Sequence, residues 1–141
     1  QALCETDTAN ASTYRAAADR YKAHLDSVAA EVARRLSTTT ARTFLIHHPA
    51  LGYFARDFGL RQIAVERNGK EPSPRQLQQI AQMCQAEGVR VVFVSREHSG
   101  KTARRIAETI GAKVVEINPL SANIEEEWIK IAEALLQPPT P

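Results

Sequence analysis

Val89-Arg90-Val91-Val92-Phe93-Val94, a helical stretch from Ser99 to Ile110, and then Val114-Val115-Glu116-Ile117 form the part of the chain from which the rest can be read. Two short apolar runs flank a helix closed by Gly111, a residue that turns the backbone out of a helix at little steric cost. Strand, helix and strand in this order form a right-handed βαβ unit, and that unit requires its two strands to be parallel. Working outward, Thr43-Phe44-Leu45-Ile46-His47 and Ile63-Ala64-Val65 read as two further buried strands. A helix begins near Ala50, after Pro49. A second starts at Ser73-Pro74-Arg75-Gln76, a capping box with proline at the first helical position, and closes at Gly88. The expected fold is therefore α/β, a four-stranded parallel sheet with helices on both faces.

Two more helices bracket this unit. Tyr14, Ala18, Tyr21, Leu25, Val28, Val32 and Leu36 fall at alternating steps of four and three, one stripe of a long amphipathic helix that precedes the sheet. Asp7 is its expected N-cap, and Ser37-Thr38-Thr39-Thr40 ends it. At the far end Asn123 and Glu126 cap a helix whose core stripe is Ile124, Trp128, Ile131 and Leu135, with Pro138-Pro139-Thr140-Pro141 expected to fray.

Composition narrows the partners more than it names them. The 141 residues suffice for one compact domain, and the 43% hydrophobic and 24% charged content is that of a soluble globular protein. No apolar run approaches the ~20 residues of a membrane helix. A net charge of +2, from 18 basic and 16 acidic residues, gives no field to draw nucleic acid or anionic lipid. Gln1-Ala2-Leu3-Cys4 lacks the basic and long apolar regions of a secretory signal, as a processed or truncated chain also would. Cys4 and Cys84 stand far apart and form no CxxC motif, and Cys84 falls on the apolar face of a helix, as a buried thiol would.

In parallel sheets ligands meet the loops that follow the carboxyl ends of the strands. Here those ends are His47-His48-Pro49, Glu66-Arg67-Asn68-Gly69-Lys70, Ser95-Arg96-Glu97-His98 and Asn118-Pro119. An imidazole held at the corner after the first strand is a good zinc donor, because backbone rather than a flexible stem fixes its place. A capping or core histidine is the plainer alternative on spacing alone.

The longer segment from Phe44 to Leu60, with its His47-His48-Pro49-Ala50-Leu51-Gly52-Tyr53-Phe54-Ala55-Arg56-Asp57-Phe58-Gly59 core, resembles the ligand-bearing segment of the zinc/manganese substrate-binding proteins of ABC importers. Gln62 to Glu66, Asn68-Gly69-Lys70-Glu71-Pro72-Ser73 and Val115-Glu116-Ile117-Asn118-Pro119-Leu120 continue the resemblance, and Asp7 to Tyr14 is similar to the start of the family's interlobe helix. What the resemblance implies is a bilobed extracytoplasmic receptor, lipid-anchored in some forms, that captures a metal ion between its lobes and delivers it to a permease. Residues 1–40 would be the interlobe linking helix and residues 41–141 the C-terminal α/β lobe. The N-terminal lobe would supply two further histidines.

By the same resemblance His48 is the metal ligand, and Asn118 stands where many members carry an aspartate. Glu116, two residues earlier, is a candidate substitute donor on that strand. An imidazole at position 48 favours Zn2+ over Mn2+, which prefers carboxylate oxygen. His47, His24 and His98 are expected outside the ligand set. A lobe deprived of its partner would expose a surface able to self-associate.

Ser95 to Thr102 gives the competing reading, a nucleotide- or phosphate-binding domain using Gly100-Lys101-Thr102. Ser95 replaces the first glycine of a P-loop, however, and no apolar strand ends in the aspartate that serves Mg2+. With no GxSxG elbow, no HExxH helix and no paired cysteine and histidine, the chain reads as a receptor rather than an enzyme.

Overall fold

The computed structural model describes residues 1–66, 69–97 and 100–136. After a short helix α1 (Ala2–Thr6) and a 3-10 turn (Thr8–Asn10), the chain runs through α2 (Ala11–Leu36), β1 (Thr43–Ile46), α3 (Gly52–Asp57) and β2 (Arg61–Ala64). It continues through α4 (Pro74–Ala86), β3 (Val91–Ser95), α5 (Lys101–Ile110), β4 (Lys113–Ile117) and α6 (Ile124–Leu136). All strand pairings are parallel, and the strands lie in the order β2-β1-β3-β4. The chain therefore builds to one side of β1, then returns to its other side, which makes the β1/β3 boundary the topological switch point.

Alternation along the strands explains why both faces are covered. Phe44, Ile46, Phe93 and Ile117 pack under α2, α3 and α6 with Leu36, Phe54, Ile131 and Leu135. Leu45, Ile63, Val92 and Val94 face the other way, against Cys84 of α4 and Ala103, Ile106 and Ala107 of α5. The four-stranded parallel sheet read from the sequence is thus observed, with helices on both faces.

Several boundaries differ from the sequence expectation. β2 begins at Arg61 rather than Ile63, because an edge strand pairs on one side only and tolerates a polar start. β3 is shifted to Val91–Ser95, with Val89 N instead closing the end of α4 by donating to Cys84 O. Asp7 caps the 3-10 turn through the Asn10 amide and accepts the Tyr14 hydroxyl at 2.7 Å, so α2 starts beyond it at Ala11. The capping box at Ser73 and Gln76 is formed as read. Asn123 Oδ1 accepts the Glu126 amide at 3.4 Å. Both cysteines are free, and burial, with Glu87 nearby, pushes the Cys84 thiol up to about 11. The expected helix start at Ser99 and the proline-rich end lie outside the described residues.

Only the last part of α2 is buried. Val32 and Leu36 reach the core, Leu25 and Val28 are half-covered, and Tyr21 is 50% exposed. The seat of the helix is reinforced by charge: Glu31 accepts from Arg34 and Arg35 at 2.7 Å, and Arg35 donates to Glu133 of α6 at 2.5 Å. Arg34 first, then Arg35, hold the Glu31 carboxyl down to about 2 from its usual 4.5. A carboxyl whose folded pKa is depressed contributes stability that is complete above its unfolded pKa and is lost as pH falls through the folded one. Thermal melts of the wild type and Glu31→Gln should therefore differ at neutral pH and converge between about 4.5 and about 2. A constant difference across that window would dissociate Glu31 from the acid response.

Candidate metal centre

The sheet presents its carboxyl edge as a row of loop starts, and the switch point falls beside the paired histidines. His47 N donates to Phe93 O at 3.1 Å, which keeps the chain on the sheet one residue past β1. It then bends: Ala50 N donates to His48 O at 2.7 Å, and Leu51 N donates to Gln62 Oε1 at 2.9 Å. Pro49, which has no amide to donate, sits within this bend. Backbone and the Gln62 side chain thus fix where His48 leaves the sheet, and its ring remains 47% exposed.

The two histidines go to different surroundings. His47 is buried, with Nε2 3.6 Å from Glu71 Oε1, and Glu71 Oε2 in turn accepts the Thr102 hydroxyl at 3.0 Å. That chain of contacts ties β1 to the first turn of α5. His48 instead meets a carboxylate at the open edge, Nδ1 lying 3.2 Å from Glu66 Oε2.

Asn118 follows β4 at the same edge. Parallel strands are about 4.8 Å apart, so two strand spacings put its backbone roughly 10 Å from that of the His48 bend. Its Oδ1 accepts the Leu120 amide at 3.1 Å, its amide donates to Glu127 Oε2 at 3.0 Å, and it borders a cleft of about 200 Å3 with Tyr53, Phe54 and Trp128. Glu116 alternates with Ile117 and so shares the face of Val114, which packs toward α4 and α5, and it pairs with Arg96 at 3.2 Å. The structure therefore brings His48 and Asn118 to one edge, brings Glu116 to neither, and adds Glu66. Among the described residues no group of three or more histidine, cysteine, aspartate or glutamate side chains forms a metal cage.

The remaining candidates have other partners. His24 is exposed on α2 with Nε2 3.5 Å from Glu125, and His98 lies outside the described residues. At Gly100, with φ +57°, a Cβ would come within 2.8 Å of Val94 Cγ1, so the glycine lets α5 approach β3. Thr102 spends its hydroxyl on Glu71. Two of the three residues of the Gly100-Lys101-Thr102 loop thus serve the fold, Gly100 by close packing and Thr102 by a hydrogen bond.

The switch-point edge of this parallel sheet, where α/β folds commonly meet their ligands, thus carries a half-exposed imidazole backed by a carboxylate. The model of the family described as zinc-uptake complex component A, periplasmic (ZnuA), matches residues 1–137, and the chain belongs to that family. It is 31% identical over 103 residues to the high-affinity zinc uptake system protein ZnuA of Bacillus subtilis (strain 168), covering 68% of this chain and 32% of that protein. It is 28% identical over 121 residues to the zinc-binding protein AdcA of Streptococcus pyogenes serotype M1, covering 83% of this chain and 23% of that one. A crystal structure of ZnuA superposes with a TM-score of 0.91 at 31% identity, over 98% of this chain and 54% of that chain. A zinc-bound ZnuA deletion mutant superposes at 0.89. The chain spans about half the length of the structures it matches, and a third or less of these two curated relatives. No helix among the described residues is long and apolar enough to cross a membrane.

Proposed function

We propose that this chain forms the zinc-capturing C-terminal lobe of an extracytoplasmic receptor that loads an ABC importer, with His48 as its metal ligand. The single observation that carries the reading is the placement of His48: a half-exposed ring, fixed by backbone at the switch point of a lobe of the zinc-uptake family. Zinc suits this edge better than manganese, because the donor is an imidazole nitrogen. Asn118 is a neutral neighbour whose oxygen already accepts the Leu120 amide, and Glu116 Oε1 is paired with Arg96. We therefore assign the remaining donors to an N-terminal lobe, with residues 1–40 as the helix that joins the lobes and residues 41–141 as the unit that closes on the ion. The loaded receptor then docks on its permease.

Thermal denaturation in the presence of zinc tests this reading. A ligand that binds only the folded state at 1,000 times its Kd stabilises by about 4 kcal/mol. Zinc should raise the melting temperature of the full-length receptor by several degrees and that of this chain alone far less, because one imidazole and water make a weak site. Mg-ATP should shift neither. Equal zinc stabilisation of the isolated monomeric chain would overturn the division of ligands between lobes. The same experiment run with size measurement detects pairing of isolated lobes, which would complete a site from two copies.

A further inference from the structure

Beside the proposed zinc ligand stands a carboxylate set there by the sheet itself. The register that pairs Thr43 with Arg61 and Ile46 with Ala64, extended past both strands, places Glu66 opposite His48. Glu66 N donates to His47 O at 3.0 Å, so its backbone is pinned to the bend that presents the ring. Glu66 Oε2 lies 3.2 Å from His48 Nδ1, and the Glu66 side chain is 14% exposed against 47% for His48. The carboxylate is thus the sheltered member of the pair and the imidazole the open one.

We propose that Glu66 is a positioning residue for zinc capture: it accepts the Nδ1 proton of His48 and so holds the ring in the tautomer that offers its Nε2 lone pair to the metal. This rests on His48 being the ligand. A carboxylate can only accept, so the nitrogen facing it must carry the proton. A neutral imidazole protonated on Nδ1 carries its lone pair on Nε2, and the hydrogen bond behind the ring fixes both tautomer and direction. It also fixes which ring nitrogen faces a metal, as outer-shell partners of ligating histidines do. The effect matters at this edge because Asn118 is uncharged and the Glu116 carboxylate is paired with Arg96.

Two measurements on the full-length receptor test the proposal. Imidazole nitrogen spectra of the metal-free protein should show His48 protonated on Nδ1 in the wild type, and redistributed toward protonation on Nε2 in Glu66→Ala. Competition titration with a chelating dye should show zinc affinity about 10- to 100-fold lower in Glu66→Ala. Glu66→Gln keeps an acceptor but loses the charge, and should fall between the two. A wild-type ring protonated on Nε2, or Glu66→Ala binding zinc as tightly as wild type, overturns the proposal. So does a zinc-bound structure with a Glu66 oxygen at bonding distance from the metal, which would make it a ligand. The receptor reading fails separately: if His48→Ala keeps full zinc affinity, His48 is no ligand, whereas loss in His48→Ala with no loss in Glu66→Ala removes only the role given to Glu66.

Discussion

On the proposed function, replacing His48 by alanine in the full-length protein is expected to weaken zinc binding by more than about 100-fold, or about 2.7 kcal/mol, measured by competition with a chelating dye. Loss of an outer-shell partner alone typically costs 10- to 100-fold, so removal of the donor itself must cost at least as much. The fold should be indifferent, because the ring is half exposed and the bend around it is held by its neighbours, His47 N on Phe93 O and Leu51 N on Gln62 Oε1, rather than by the side chain. His24→Ala gives the control for adventitious imidazole binding, since that ring lies exposed on α2 beside Glu125. Zinc affinity should follow residue 48 and ignore residue 24. Equal affinity in wild type and His48→Ala would end the assignment.

The largest expected loss of stability is at Phe93. It is fully buried in β3, one of the two inner strands, and its ring meets Phe44 edge-on with centroids 5.3 Å apart. Truncating a buried phenylalanine costs about 3–5 kcal/mol, the lost transfer energy being joined by the cavity that remains. Here the cavity would open between two strands under α6, where β-branched neighbours have little freedom to collapse into it. For a chain of this size that corresponds to a fall in melting temperature of roughly 10 °C or more. Phe93→Leu should lose clearly less, because most of the volume is kept. A loss below about 1 kcal/mol for Phe93→Ala would mean that this layer is not the core.

These two residues also mark what the sequence could and could not disclose. Phe93 sits in a run so apolar that only a strand covered on both faces accommodates it, and the strands, their parallel sense and the helices between them followed from such runs and from caps such as Ser73. The edge strand starts at Arg61 and Gln62, ahead of its apolar residues, and a polar start gives no periodic signal. His48, the proposed ligand, could be singled out from the segment around it. Glu66 could not, although it was visible at a strand end: its meaning depends on which strand neighbours which, and local pattern is silent on that. Once β1 is paired with β2, the 18-residue offset between partners brings residues 48 and 66 together. Glu116 stands apart from this pair. Its two-residue spacing from Asn118 suggested a shared face, but Asn118 has already left the strand and β4 turns Glu116 toward Arg96.

The uneven burial of α2 has a mechanical consequence. Its 26 residues make a rod about 39 Å long, held through its second half, chiefly against α6. Its N-terminal half, before His24, is the free arm of a lever: a tilt of about 10° would sweep a point about 20 Å away through roughly 3.5 Å. The Glu31, Arg35 and Glu133 clasp lies in the held half, where a small repacking is magnified along the arm.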